Sequence, residues 1–372
     1  MREENTAGAW TDADIRFMQQ ALSLADKAKG LTFPNPAVGA VVVKNGAVVG
    51  KGATSPCGGP HAERNALKQA GGKARGAVLY VTLEPCCHVG RTGPCTGAII
   101  DAGIRKVVAS VRDKNPLVNG KGMALLAEAG IEVCTGLLEQ EAQRLNEDFF
   151  FWITHRRPWV SVKLAMTLDG KIADTSGDSR WITSVHSRAF VHDLRRKHAA
   201  IGVGRTTLEN DNPRLTVRHG KTGNPVRIVF SSKAYAPPNS YFVRTAGKKS
   251  RSILVVRGGR NRSRHMLDNG VEVWRTAAAD WKGSLRGFLR TAYEENIPSV
   301  LIEGGARLAS AFVEHGLANR VYLMYANKIL GGGAEGLAFE RPLALSRCIY
   351  LDNMEISTFS GDVVITGIPV RR

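Results

Sequence analysis

No stretch of the 372-residue chain holds the roughly 18 to 20 consecutive apolar residues that a bilayer span needs, which excludes membrane-spanning helices as an organising element. The start, MREENTAGAWTDAD, is polar and acidic where a secretory leader would run from a basic stretch into an apolar one. A cytoplasmic protein without a membrane partner is expected. Cysteine is scarce: there are six, at 57, 86, 87, 95, 134 and 348, and three of them fall within ten positions. A disulfide scaffold spreads its cysteines through a short secreted chain, so this clustering points to metal or chemistry. Internal repeats and long low-complexity tracts are also missing. Acidic residues are outnumbered, 33 Asp plus Glu against 51 Lys plus Arg, and the net charge of +18 favours anionic ligands. The basic runs RRKH, GKKSRS and RGGRNRSR lie scattered and without interleaved aromatics, which places small phosphates ahead of nucleic acid as the ligand class.

What is present reads as two α/β domains, the expectation for a chain of this length. Residues 12–29 put Ile15, Met18, Leu22 and Ala25 at helical spacing behind an Asp N-cap candidate. AVVVKNGAVVGKG follows, two β-branched runs joined at Asn45-Gly46, a strong short hairpin signal. A helix opening at His61, the strand AVLYVTL, a helix from Cys95 and further strand and helix patterns complete a layered α/β domain, read as residues 1–138. Residues 139–157 read as a helical connector, and residues 158–372 as a second α/β domain with WVSVKLAM, AAIGVG, PVRIVF, SILVVRG, VEVWR, SVLIEGG and RVYLMYA as strands.

The cysteine cluster lies near His61-Ala62-Glu63, in the pattern HAE, then Pro85-Cys86, eight residues, and Cys95. Zinc favours tetrahedral nitrogen and sulfur ligands, and a catalytic zinc keeps one position for water. His61, Cys86 and Cys95 supply three ligands, and helix starts near 61 and 95 favour the thiolate form through their unpaired N–H groups. Glu63 is badly placed to bind the same ion but well placed to hydrogen-bond its water, the role of the non-ligand glutamate that moves protons in zinc nucleobase deaminases. Asn35, in Pro34-Asn35-Pro36 before a tight turn at Val38-Gly39-Ala40, supplies an amide for substrate polar groups. The competing reading is a structural zinc whose fourth position Cys87 or His88 closes, or buried thiols beside an unrelated surface glutamate.

The runs TFPNPAVGAVVVKNG, HAE, VTLEPCCHVGRTGPC and RDKNPLVNGKG resemble the pyrimidine deaminase half of the bifunctional riboflavin-biosynthesis deaminase/reductase family. KLAMTLDGKIA, SGDSRWITS, GVGRTTLENDNPRLTVR and LIEGGARL resemble its reductase half, so the resemblance covers nearly the whole chain. It implies a cytidine-deaminase-like first domain, a dihydrofolate-reductase-like second domain, and two cofactors, Zn2+ and NADPH. It also implies a phosphorylated pyrimidine substrate, deaminated at its 2-position and then reduced from ribosyl to ribityl. Carried over by position, the substrate contacts in the second half are Ser179, Arg195, Leu215, Arg218 and Glu303, and the cofactor contacts Ala165, Trp181, Thr207, Asp211, Gly304 and Gly305. Cys87 stands where the motif leads one to expect serine.

Beside this, Gly304-Gly305 follows a strand and opens a helix, which suits a phosphate meeting backbone N–H groups. Arg195 and Arg218 suit bidentate pairing with the substrate phosphate. The dinucleotide fingerprint is matched by GVGRTT over its first half alone. Lys163 and Asp169 assist ring opening or protonation of the sugar, or form a satisfied Lys–Asp pair, the reading preferred. The alternatives are a deaminase of cytosine or of adenosine in tRNA with an RNA-binding second domain, and a zinc-stabilised binding module without chemistry. Whether the chain forms a homo-oligomer is left open by the sequence.

Overall fold

The computed structural model describes residues 10–88, 93–218, 223–248, 250–258, 263–278 and 280–372. Residues 89–92 between the two cysteine motifs, 259–262 of the run RGGRNRSR, Lys249 of GKKSRS and residues 1–9 of the acidic start lie outside the described residues. The chain divides into two compact units, Met1–Arg156 and Arg157–Arg372. Among the described residues no helix is long and apolar enough to cross a membrane.

In the first unit α1 spans Asp12–Ala28. Its N-cap is Thr11 and not an aspartate: the Thr11 hydroxyl accepts from the Asp14 N–H at 3.2 Å while the Asp14 carboxylate accepts from the Thr11 N–H at 3.0 Å. This reciprocal capping box satisfies two otherwise orphaned donors at once. Next come β1 (Gly39–Lys44) and β2 (Ala47–Ala53), whose linking residues Asn45 and Gly46 both have positive φ, 52° and 75°, as a two-residue hairpin requires. The tight turn expected at Val38-Gly39-Ala40 is instead the start of β1. A Cβ on Gly39 would fall 1.9 Å from the Ala21 carbonyl oxygen, so the glycine is there to let α1 lie against the strand. On β2, Gly50 and Gly52 admit the next helix, α2 (Ala62–Ala70), in the same way, with the carbonyls of Ala66 and Ala62 each 2.2 Å from an added Cβ. This close approach places the His61 end of α2 against the sheet.

The unit continues with β3 (Val78–Val81), α3 (Cys95–Asp101), β4 (Lys106–Ala109), α4 (Lys121–Glu128) and β5 (Glu132–Thr135). The sheet order is β2-β1-β3-β4-β5, with β1 antiparallel to both neighbours and β3, β4 and β5 parallel. Loops after parallel strands gather at their carboxyl ends, where α/β sheets hold ligands. The segment expected to be one connecting helix is two, α5 (Glu139–Leu145) and α6 (Glu147–His155), and it belongs to the first core. Fully buried Asn146 separates them and binds the backbone of Ala37 in both senses, accepting from its N–H at 2.9 Å and donating to its carbonyl at 2.8 Å. Phe149 and Phe150 enter the apolar core, and Asp148 pairs with buried Lys29.

The second unit runs β6 (Trp159–Thr167), β7 (Lys171–Ala173), α7 (Val185–Arg196), β8 (Ala200–Gly204), α8 (Arg205–Asp211), β9 (Val226–Ser231), α9 (Tyr241–Arg244), β10 (Ser252–Arg257), β11 (Ser263–Met266), β12 (Glu272–Thr276) and α10 (Trp281–Glu294). It ends with β13 (Ser299–Ile302), α11 (Ala306–Glu314), β14 (Arg320–Ala326), β15 (Ala334–Glu335), β16 (Ile349–Phe359) and β17 (Asp362–Arg371). Ten strands form one sheet in the order β11-β12-β10-β9-β8-β13-β6-β14-β17-β16. The strands from β12 to β14 are parallel, and β11, β17 and β16 close the edges antiparallel. The C-terminal hairpin β16–β17 is absent from the strands read from sequence: β16 is a mostly exposed edge strand in which apolar and polar residues do not alternate cleanly.

Because the added Cβ of Gly39→Ala meets backbone and not a movable side chain, this substitution is expected to destabilise the first unit by about 3 kcal/mol, read as a lower urea midpoint.

Candidate functional site

His61 is the N-cap of α2, and its ring is not spent on capping. Cys95 opens α3, and Cys86 lies in the loop after β3. The three side chains converge: His61 Nδ1 is 3.5 Å from Cys86 Sγ and 3.4 Å from Cys95 Sγ, and the three donor atoms all lie within 4.8 Å of one another. Tetrahedral zinc with its usual bonds, near 2.3 Å to sulfur and 2.0 Å to nitrogen, has N···S edges of about 3.5 Å, so the donor set fits the ion in both chemistry and size. Charge is arranged accordingly. Cys86 is drawn down to about 4, first by hydrogen bonding from Cys95 and then, against the opposing effect of burial, by His61. The Cys95 backbone N–H also donates to Cys86 Sγ at 3.4 Å. Cys95 moves up, since Cys86 holds its proton and burial disfavours a second thiolate. Glu63, in the first turn of α2 and 4% exposed, is pushed up to about 7 by burial and then by the charge on Cys86.

The neighbouring candidates separate. Cys87 points away, its thiol donating to the Leu117 carbonyl at 3.7 Å. Among the described residues, the metal-competent group is His61, Cys86 and Cys95, and neither Cys87 nor His88 joins it. Asn35 is half-buried, its backbone N–H donating to the Thr32 carbonyl at 2.9 Å. Sequence reasoning misses Glu84, a buried carboxylate one residue before Pro85-Cys86, and Asp113, raised to about 6 by burial. The one available signal for Glu84 is a charge at the end of an otherwise apolar strand.

In the second unit the candidates fall into three groups. Arg195, on α7, grips Glu303 with two bonds, Nε to Oε1 at 2.5 Å and Nη2 to Oε2 at 2.7 Å, and donates through Nη1 to the Thr216 carbonyl at 3.3 Å. The Nε–Nη2 edge expected to face the substrate phosphate is thus engaged by the Glu303 carboxylate. Burial alone would raise Glu303, but Arg195 outweighs it and holds the carboxyl below its ordinary value. Lys163 is drawn down by desolvation, with Glu303 opposing. Its charged neighbours are Glu303 and Arg195, so the Lys163–Asp169 pair preferred from sequence does not form. Asp169 instead accepts from Thr167 Oγ1 at 2.6 Å and from the N–H groups of Leu330 and Gly331 at 3.1 and 2.8 Å. Leu215, buried and at φ 51°, holds a strained left-handed turn next to Thr216, while Arg218 is exposed.

The second group is Thr207, Gly304 and Gly305. A Cβ on Gly304 would meet Thr207 Cγ2 at 3.3 Å, and one on Gly305 would lie 3.8 Å from Gly204. Gly204 and Gly305 are the N-caps of α8 and α11, and neither helix has a side-chain cap. Two helix N-termini that take no side-chain cap from the described residues therefore meet at one glycine-lined point, a donor set that fits cofactor phosphates. The third group joins Trp181 and Asp211 through the residue between them in space: Arg180 donates to the Asp211 carbonyl at 2.7 Å. Trp181 lies under the Arg188 guanidinium at 4.3 Å and accepts at its carbonyl from Lys328 at 2.8 Å. Ser179 is half-buried in the preceding turn, and Ala165, on β6, packs on Val191, Met324 and Val364. A complete GxGxxG spacing does occur, in GGGAEG at 331–336, but it runs into two-residue β15 and opens no helix, so it lacks a dinucleotide fingerprint's context.

Residues 11–111 match the cytidine and deoxycytidylate deaminase zinc-binding region, and residues 158–365 match the RibD C-terminal domain. Fold and site thus define a zinc-dependent deaminase unit of cytidine-deaminase type followed by a dihydrofolate-reductase-like reductase unit. The riboflavin biosynthesis protein RibD of Aquifex aeolicus is 45% identical over 324 residues, covering 87% of this chain and 89% of the relative. That of Escherichia coli is 38% identical, covering 87% and 90%. The crystal structure of a diaminohydroxyphosphoribosylaminopyrimidine deaminase/5-amino-6-(5-phosphoribosylamino)uracil reductase from Thermotoga maritima aligns with a TM-score of 0.82 at 37% identity, covering 96% of this chain and 99% of that one. The chain belongs to the RibD family of bifunctional riboflavin-biosynthesis deaminase/reductases. The RibD match over 158–365 stands where the alternative reading put an RNA-binding domain.

Glu303→Gln leaves the Arg195 cation buried with half its partner, and is expected to cost the second unit about 3 kcal/mol in denaturant unfolding while ammonia release by the first unit is unchanged.

Proposed function

We propose the following division of labour for the two reactions of riboflavin biosynthesis that this chain performs: hydrolytic deamination of 2,5-diamino-6-(5-phosphoribosylamino)pyrimidin-4-one, then NADPH-dependent reduction of its ribosyl side chain to ribityl. The observation that carries the reading is the convergence of His61, Cys86 and Cys95 beside a buried Glu63 that is not one of the donors. His61, Cys86 and Cys95 hold zinc, and three protein ligands leave a tetrahedral ion one position for water or substrate. Zinc, when bound, supplies Lewis acidity toward water, and NADPH, when bound, supplies the reducing equivalents. Glu63 takes the proton of the attacking water and delivers it to the amino nitrogen that leaves C2 as ammonia. Asn35 holds substrate polar groups.

In the second unit Gly304, Gly305 and Thr207 receive cofactor phosphates on the N–H groups of α8 and α11, with Trp181, Asp211 and Ala165 along the remaining cofactor surface. Glu303 fixes Arg195 at the substrate end. Lys163, whose charged form burial disfavours, gives its proton to the ribosyl ring oxygen as C1′ is reduced. Arg218, exposed and among the described residues in no ion pair with a carboxylate, takes the substrate phosphate, with Arg195, Leu215 and Ser179 as further substrate contacts. The working partners are small phosphorylated molecules, with no nucleic acid and no membrane, in the cytoplasm. A homo-oligomer is part of the proposal, supported by exposed Tyr350, Met354 and Ile356 along edge strand β16.

The decisive assay gives purified protein the diaminopyrimidine ribosyl phosphate with NADPH and follows ammonia and nicotinamide absorbance together. Both signals are expected, with the ammonia stopped by zinc chelation; ammonia without NADPH oxidation removes the account of the second unit, and steeply salt-dependent RNA binding would favour the editing alternative. Glu63→Gln is expected to retain zinc and lose ammonia release, and turnover in that variant would reject the shuttle. Arg218→Ala is expected to raise the reductase KM more than it lowers kcat, because a remote phosphate contact contributes mostly uniform binding; an unchanged KM removes Arg218 from the phosphate site.

A further inference from the structure

Glu84 is 3% exposed, and its carboxylate is filled by four backbone donors. Oε2 accepts from the N–H groups of Asp113 at 3.1 Å and Gly120 at 2.9 Å; Oε1 accepts from Gly122 at 3.0 Å and Met123 at 3.3 Å. Two of these donors, Gly122 and Met123, belong to the first turn of α4, whose N-cap Gly120 has no side chain to offer. A carboxylate from a distant segment therefore does the capping, and the helix dipole together with four N–H groups keeps a buried charge satisfied.

The contact is made by the same few residues that carry Cys86. Pro85, with its fixed φ and no N–H, is the single link between Glu84 and Cys86. A Cβ on Gly122 would fall 2.1 Å from the Pro85 carbonyl oxygen, so α4 lies directly on the backbone of this segment. The Glu84 N–H donates to the Val111 carbonyl at 2.9 Å, and on the far side of Cys86 the Cys87 thiol reaches the Leu117 carbonyl. From the opposite direction the Thr96 N–H holds the Cys86 carbonyl at 3.2 Å. Cys86 is thus gripped between α3 and the loop leading into α4.

We propose that Glu84 is a positioning residue of the deaminase, anchoring the Cys86 segment to residues 113–123 so that the Cys86 sulfur is preset for zinc. The inference rests on Cys86 being a zinc ligand. Outer partners that orient metal ligands typically change metal affinity or activity by about 10- to 100-fold when removed.

The test uses the full-length zinc-loaded protein. In Glu84→Gln the amide oxygen keeps two of the four backbone donors and the NH2 group is turned against the other two. The expected result is zinc transfer to a colorimetric chelator accelerated by about 10- to 100-fold, with a matching fall in ammonia kcat, while the first step of urea unfolding remains cooperative and NADPH-dependent reduction of the deaminated substrate by the second unit is unchanged. Zinc release and kcat both within about twofold of the parent protein would overturn the proposal. Should the variant fail to fold, amide exchange in the unaltered protein decides: the N–H groups of Asp113, Gly120, Gly122 and Met123 are expected to be as protected as those of β3 and β4, and to remain so after zinc is removed. Exchange of these amides at exposed-loop rates in the zinc-free protein overturns the anchor. Cys86→Ser separates the two layers of argument. If it keeps zinc as the parent does, the ligand assignment fails and the anchor with it; if it loses zinc while Glu84→Gln does not, the anchor alone fails.

Discussion

A negative charge in a protein interior needs a compensating source of positive potential, and the buried thiols and carboxylates of the first unit differ in how much of it they are given. Cys86 receives the Cys95 N–H and faces the His61 ring; Glu84 receives four backbone donors and the end of α4; for Glu63 burial and the charge on Cys86 outweigh the donors it meets, and its proton affinity rises. The carboxylate left under-compensated is the one assigned to carry protons, while the fully compensated one is assigned to hold geometry. Environment, not residue type, divides the work between Glu63 and Glu84.

The second unit meets the opposite problem, since the chain carries an excess of cations and its ligands are polyanions. Arg195 is fixed by Glu303, which gives the region one firmly held guanidinium, while Arg218 is exposed. In the proposed assignment, phosphate binding on the cofactor side draws on backbone, through two glycine-capped helices, and calls for no further charge. Neutral donors of this kind bind anions without adding to the self-repulsion of a chain at +18.

The zinc donors are legible in the sequence because metal chemistry demands particular residue types at short spacings, and HAE and PC to Cys95 fall within 35 residues. The hairpin at Asn45-Gly46 is legible for a similar local reason. What local pattern cannot carry is the choice of partner for a polar group. Arg195 finds Glu303 across 108 residues, Asn146 finds Ala37 across 109, and Glu84 finds its donors 29 to 39 positions on. Those pairings are products of tertiary packing, and they are what the readings of Arg195, of Lys163 with Asp169 and of the 139–157 segment did not contain. Gly39 is a related case: the letter suggests a turn, and only the neighbouring helix reveals that the missing side chain is space for a backbone.

The reach of Asn146 and Asp148 back to Ala37 and Lys29 has a consequence for vectorial synthesis. Domains are made N-terminus first and tend to fold as they emerge. The metal-binding elements, complete by Cys95, must wait for α6 before their core is sealed, so the last clasp of the first unit forms only as translation of the second begins. A ribosome-bound deaminase therefore spends its final stretch of synthesis with one flank of its core uncovered, and the two catalytic halves of the chain are joined in time as well as by a peptide bond.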